Sequence, residues 1–151
     1  YETAVTIDAD SYYEVEELPS LLNAALNNKD AALTVAFFRS KNSFIRQLTW
    51  QWYRLLTGFK FADFVSGFRV YKSPAIAVAI STEATLLDYQ DVGIFLLMRR
   101  YALNIQEVEL KLKTSKLDQS GIFRSWSKAL RYFVTSTLLC LAHRRNHTAK
   151  K

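Results

Sequence analysis

The stretch Thr3-Ala4-Val5-Thr6-Ile7-Asp8-Ala9-Asp10 decides how the rest of the chain is read. Val5, Thr6 and Ile7 are β-branched and favour a strand. The apolar run stops abruptly at two carboxylates spaced two apart. The pattern predicts a buried strand over Ala4 to Ile7 whose C-terminal end emits Asp8 and Asp10. In an open α/β sheet, the carboxyl ends of the strands are where ligands bind. Two carboxylates there can hold a divalent cation and, through it, phosphate oxygens. The competing reading is an Asx-rich turn that opens a helix and does no chemistry.

Downstream, Glu14, Glu16 and Glu17 favour a helix start. Leu18, Leu21, Leu22, Ala25 and Leu26 recur at helical spacing and predict the packed face. Asn27 to Asp30 form the turn out. Leu33 to Phe38 is a short continuous apolar run, which predicts a second buried, parallel strand. It ends in the basic loop Arg39-Ser40-Lys41-Asn42, placed by this reading on the ligand-bearing edge. Ser43 to Leu56 predicts a helix with one stripe of Phe44, Leu48, Trp52 and Leu55, widened by Trp50 and Tyr53. Gly58 is its stop. The two tryptophans read as core, with a stacking or lipid-facing surface as the rival.

Phe59 to Tyr71, FKFADFVSGFRVY, is the second functional stretch. Asp63 sits among apolar residues in a segment too irregular for a helix or strand. Ser66-Gly67 marks a tight backbone passage, and Phe68 to Tyr71 predicts a short strand carrying Arg69. Asp63 beside Arg69 reads either as a structural ion pair or as a general base near an anionic subsite. Ser73 then N-caps a helix with Pro74 at its first position. Glu83 to Tyr89 is a connector, and Asp91 to Tyr101 a helix with Arg99 and Arg100 at its C-terminus. Ile105 to Leu112 alternates, as a half-exposed edge strand does. A polar, basic loop follows over Thr114 to Gly121.

The last helix is expected over about residues 123–145. It is basic and amphipathic, and its apolar centre, Tyr132 to Ala142, is too short for a bilayer span of about 20 residues. Trp126 and Arg144-Arg145 suit an interfacial helix; packing against the domain is the other reading.

The chain has 151 residues, half of them hydrophobic, enough for one compact domain. A single cysteine, Cys140, excludes an intrachain disulfide and fits a reducing compartment. With His143 and His147 it makes a poor metal site. The net charge of +6 suits nucleic acid, an anionic membrane or a phosphorylated ligand. Zinc-finger and RNP signatures are missing, so nucleic acid is not expected. Neither GxGxxG nor GxxxxGK[ST] occurs. A strand beginning at residue 3 has no earlier strand before it, which predicts that this chain is the later part of a longer domain.

These pieces together resemble the family 2 glycosyltransferases with a GT-A fold, and most nearly the polyprenyl-phosphate sugar transferases of the dolichol-phosphate mannose synthase kind. Asp8-Ala9-Asp10 matches the DxD motif, and Glu16-Glu17-Leu18-Pro19-Ser20-Leu21-Leu22 the helix after it. Arg39 matches an arginine that ends the next strand. Asp63-Phe64-Val65-Ser66-Gly67-Phe68-Arg69-Val70-Tyr71 is similar to the segment DxxSGFRxY. Glu107-Val108 resembles an EVP strand, and Lys116 and Ser120 lie in a loop like RxxGxSK. The likeness runs from Val5 to about Leu141 and covers the second half of the family's catalytic domain.

The resemblance implies an α/β, GT-A-type mixed sheet flanked by helices, with the N-terminal nucleotide-binding units missing. Residues 1–151 would then be a partial glycosyltransferase domain, inactive alone and completed by the missing part of the same protein or by an oligomer partner. It implies inverting transfer from a nucleoside-diphosphate sugar to a lipid-phosphate or glycan acceptor. Asp8 would face the nucleotide sugar, with Asp10 as ligand to Mg²⁺ or Mn²⁺ and Arg39 on the cofactor side. Asp63 would be the catalytic carboxylate; Arg69, Lys116 and Ser120 would serve the acceptor or phosphate. The implied location is cytoplasmic, at the inner face of a membrane. Tyr12, Val15, Ala102, Leu103, Glu109 and Asp118 depart from the family pattern and leave a polysaccharide or teichoic-type acceptor open. The rival function is a non-catalytic binding module on the same fold.

Overall fold

In the computed structural model, the described residues are 2–7, 15–38, 44–87, 90–110 and 126–148. Among them, four strands form one mixed sheet: β1 (Thr3–Thr6), β2 (Ala31–Phe38), β3 (Arg69–Lys72) and β4 (Asn104–Leu110), in the order β1-β3-β2-β4. β3 runs antiparallel to both β1 and β2, while β2 and β4 are parallel. β1, β2 and β4 therefore share one direction, and their C-terminal ends lie along one sheet edge with the N-terminal end of β3. This is the α/β mixed sheet flanked by helices that the sequence predicts.

A turn of 3₁₀ helix at Val15–Glu17 leads into α1 (Leu18–Asn27). It is followed by α2 (Phe44–Thr57), α3 (Ser73–Ala79), α4 (Thr82–Thr85), α5 (Gln90–Arg100) and α6 (Trp126–Thr148). The alternation along β2 explains the layering. Leu33 and Val35 face a large core with Trp50, Tyr53, Phe64, Phe95 and Leu97. Ala36 faces a smaller core with Leu21 and Ala25 of α1 and with Phe68, Val70 and Leu110. On the α1 side, Gln106 Nε2 donates to Thr34 Oγ1 at 2.8 Å and to the Ala24 carbonyl at 3.1 Å. Gly93 lets α5 sit close to its neighbours: a Cβ there would lie 2.7 Å from Leu87 Cδ1 and 3.1 Å from Leu139 Cδ2.

Several expectations are corrected. β1 is an edge strand, not a buried one: Val5 is 37% and Ile7 38% exposed. β2 is parallel on one side only. Leu26 lies on the solvent side of α1, because the sheet covers only the Leu21–Ala25 side. On α2 the inward face is Trp50 and Tyr53, whereas Leu48, Trp52 and Leu55 point outward. Tyr53 and Phe64 pack with ring centroids 5.7 Å apart, so the larger aromatic pair wins the core. The N-cap before Pro74 is Lys72, which makes no side-chain cap bond, and the connector after α3 contains the short helix α4, capped by Ser81 Oγ accepting from Ala84 N.

Candidate functional site

The site begins at the sheet edge. Register places Thr6, Arg69, Val35 and Glu107 in one row across β1, β3, β2 and β4. Residues directly opposite on neighbouring strands share a face, so Arg69 and Glu107 flank Val35 on the α5 side. The irregular segment from Gly58 to Phe68 lies over that side.

This segment has no ladder of its own, so its backbone groups need other partners. Gly58, at φ 74, closes α2 with its N–H on the Arg54 carbonyl at 2.8 Å. Arg54 Nε donates to the Phe61 carbonyl at 2.8 Å. The Glu107 carboxylate accepts from Ala62 N at 2.8 and 2.9 Å and from Asp63 N at 3.1 Å. Asp63 Oδ1 accepts from Val65 N at 3.0 Å, an Asx turn that fixes the carboxylate's own orientation. Phe61 and Phe64 anchor the segment in the core. Asp63 itself stays partly exposed. A half-exposed carboxylate on a loop pinned at both sides is suited to positioning a ligand or taking a proton.

Arg69 is 3% exposed and tied on three sides. Its Nη2 donates to Asp91 Oδ1 at 2.9 Å, its Nε to the Ser66 carbonyl at 2.6 Å, and its guanidinium lies 5.0 Å from the centre of the Phe95 ring. Burial acts to lower the Arg69 pKa, but Tyr71 and Asp91 outweigh it and hold the group above its ordinary value. Arg69 therefore fixes the Ser66-Gly67 passage from beneath. Burial raises the Glu107 pKa above 4.5, and the two backbone N–H donors only partly offset it.

A link across the two functional stretches completes the geometry. Thr6 Oγ1 donates to the Gly67 carbonyl at 2.9 Å. The strand that leads to Asp8 is thus stitched to the segment that carries Asp63. Of the sequence-predicted site residues, Asp63 and Arg69 are brought to this edge. Asp8, Asp10, Arg39, Lys116 and Ser120 lie outside the described residues. Among the described residues, no group of three or more His, Cys, Asp and Glu could hold a metal.

Three contributors escaped sequence reasoning: Thr6 as the link, Asp91 as a partner of Arg69, and Glu107 as the clamp on the Asp63 loop. Glu107 did carry a signal, its match to the EVP strand, but nothing in the sequence said what it holds.

No family model matches the chain, and comparison with curated proteins gives no match. Solved structures do match. Glucosyl-3-phosphoglycerate synthase from Mycobacterium tuberculosis superimposes in its complex with phosphoglyceric acid with a TM-score of 0.62 at 17% identity. Its complex with uridine diphosphate gives a TM-score of 0.61, also at 17% identity. Each alignment covers 92% of this chain and 50% of the synthase chain. The likeness is one of fold, the GT-A type. The chain spans about half the length of the solved proteins it matches.

Proposed function

We propose that this chain forms part of a nucleotide-sugar glycosyltransferase. It would transfer a sugar, with inversion, from a nucleoside-diphosphate donor to a lipid-phosphate or glycan acceptor. The observation that carries this reading is the Thr6–Gly67 link: one sheet edge joins the strand leading to Asp8 and Asp10 with the loop presenting Asp63. The uridine diphosphate on the synthase of like fold supports a nucleotide donor. The polyprenyl-phosphate branch rests on the sequence resemblance.

The donor set of Asp8 and Asp10 is all carboxylate oxygen. That chemistry suits a hard divalent cation, Mg²⁺ or Mn²⁺, with phosphate and water completing the shell. When bound, such an ion would neutralise charge that grows on the diphosphate leaving group. Asp63 would hold the acceptor opposite that leaving group and take its proton where the acceptor is a hydroxyl. A phosphate acceptor needs little deprotonation, and Asp63 then serves mainly to position it. Glu107 and Arg69 keep the Asp63 loop in place from below. Arg39, Lys116 and Ser120 would add donors to phosphate.

Mn²⁺-dependent binding of UDP-, GDP- and dTDP-sugars to the full-length protein tests the reading. Asp10→Asn is expected to abolish it; unchanged binding refutes the metal role. Asp63→Asn is expected to keep donor binding and slow transfer. Loss of folding in that variant instead marks Asp63 as structural.

A further inference from the structure

The last helix buries hydroxyls where a packed helix ordinarily buries leucines. On α6, Tyr132, Ser136 and Cys140 recur every four residues and are buried, while Leu130, Val134, Leu138 and Leu141 are exposed. Apolar burial alone does not select this orientation, because four aliphatic side chains stay outside. The polar side faces inward because it has partners there. Trp52 Nε1 of α2 donates to Thr137 Oγ1 at 3.2 Å. Tyr53 and Tyr132 meet edge to face with ring centroids 6.5 Å apart. The Ser136 hydroxyl acts on both phenols.

One of these phenols reaches further. Tyr132 is buried in the same core as Phe95, the ring over which the Arg69 guanidinium lies at 5.0 Å. α6 sits close against α5, where Gly93 leaves room: a Cβ there would come within 3.1 Å of Leu139 Cδ2. Two residues before Gly93, Asp91 holds Arg69 at 2.9 Å. Burial first, and then the Asp91 carboxylate, hold the Tyr132 proton in place, with Arg69 acting in the opposite sense. Tyr132 is thus a neutral phenol beside a buried ion pair, where its O–H dipole can support the carboxylate.

From that pair a chain of short bonds leads to the sheet edge. Arg69 Nε donates to the Ser66 carbonyl at 2.6 Å. The next carbonyl, that of Gly67, accepts from Thr6 Oγ1 at 2.9 Å. Rigid polar chains of this kind carry coupling between the elements they join.

We propose that Tyr132 is a positioning residue: it backs the Asp91–Arg69 pair, and through it the seating of α6 sets the Ser66–Gly67 passage between Asp63 and the strand that leads to Asp8. The effect on turnover rests on the transfer reaction proposed above; the coupling itself does not.

The test is NMR of the full-length protein, read at the Arg69 Nε–H, which burial and the Ser66 carbonyl protect from solvent exchange. Tyr132→Phe removes the hydroxyl and keeps the ring. It is expected to speed exchange of that proton roughly 5-fold or more. Thr137→Val removes the α6 partner of Trp52 instead and is expected to leave the proton unchanged. Reciprocally, Asp91→Asn should shift the fluorine resonance of Tyr132 in protein labelled with fluorotyrosine, a line identified by its loss in Tyr132→Phe. An Arg69 signal indifferent to Tyr132→Phe, or moved equally by Thr137→Val, overturns the proposal whether or not the protein transfers sugar. So does a Tyr132 line untouched by Asp91→Asn. In the transfer assay, Tyr132→Phe is expected to lower kcat at unchanged donor KM; a change confined to KM overturns the positioning role.

Discussion

Removing the Glu107 carboxylate should free the loop that presents Asp63. Glu107 accepts two backbone N–H groups, Ala62 and Asp63, through a half-buried carboxylate. A hydrogen bond to a charged acceptor contributes about 1.5–3 kcal/mol. Burial of the charge costs more than these bonds return to it, as the raised pKa of Glu107 records. Without the carboxylate, however, Ala62 N and Asp63 N lose their acceptor, a loss of about 1–3 kcal/mol. Glu107→Ala should therefore cost a net ~1–3 kcal/mol, roughly 5- to 150-fold in the population with the loop released. Glu107→Gln keeps one carbonyl acceptor and should fall between the wild type and the alanine variant.

Amide hydrogen exchange of Ala62 and Asp63 in the full-length protein reads this directly, and a matching fall in turnover at unchanged donor KM would assign the loop a positioning role. Unaltered protection of both amides in Glu107→Ala refutes the clamp. The pH dependence has a definite sign. Below 4.5 Glu107 is protonated whether folded or not; between 4.5 and its raised value the folded state binds more protons. Its contribution to stability therefore declines as pH rises through that window and is flat above it. Glu107→Gln should remove that slope from urea midpoints.

Three further outcomes are expected. Asp91→Asn leaves Arg69 buried without its charge partner and should cost about 3–5 kcal/mol, read from urea unfolding; a change below 1 kcal/mol refutes the role given to the pair. Ala102, at φ 55, occupies the left-handed position that ends α5, so Ala102→Gly should stabilise the protein by about 1 kcal/mol, visible as a rise in Tm. Cys140 is buried and its thiol is pushed up to about 11; it should resist thiol reagents at pH 8 until the protein is unfolded, and rapid labelling of the folded form would contradict its placement.

Patterns local to one element were legible in the sequence. The helices α2 and α5 and the strands β2 and β4 were expected within a few residues of where they lie, because apolar periodicity and the Gly58 stop are local signals. The missing glycine at Ala102 was also readable, and the structure shows the strain it leaves. Faces were harder. Leu48, Trp52 and Leu55 keep helical spacing as well as Trp50 and Tyr53 do, and only tertiary contact with Phe64 and Tyr132 decides which set turns inward. The burial expected for β1 failed because β-branched residues suit edge and centre strands alike. Thr6, Asp91 and Glu107 were not legible as site residues. Their partners lie 61, 22 and 44–45 residues away, and no spacing rule reaches that far.

The row Thr6–Arg69–Val35–Glu107 also makes the sheet a ruler for insertions and deletions. β1 holds its register through only four residue pairs. One residue added within it would turn Thr6 to the other face and advance the chain by about 3.3 Å. That error would travel straight to the acidic pair. The same residue added at the Lys29–Asp30 turn, where the chain is exposed, would reach no member of the row. Length variation among functional homologues should therefore gather at that turn and avoid the few residues between Thr3 and Asp8.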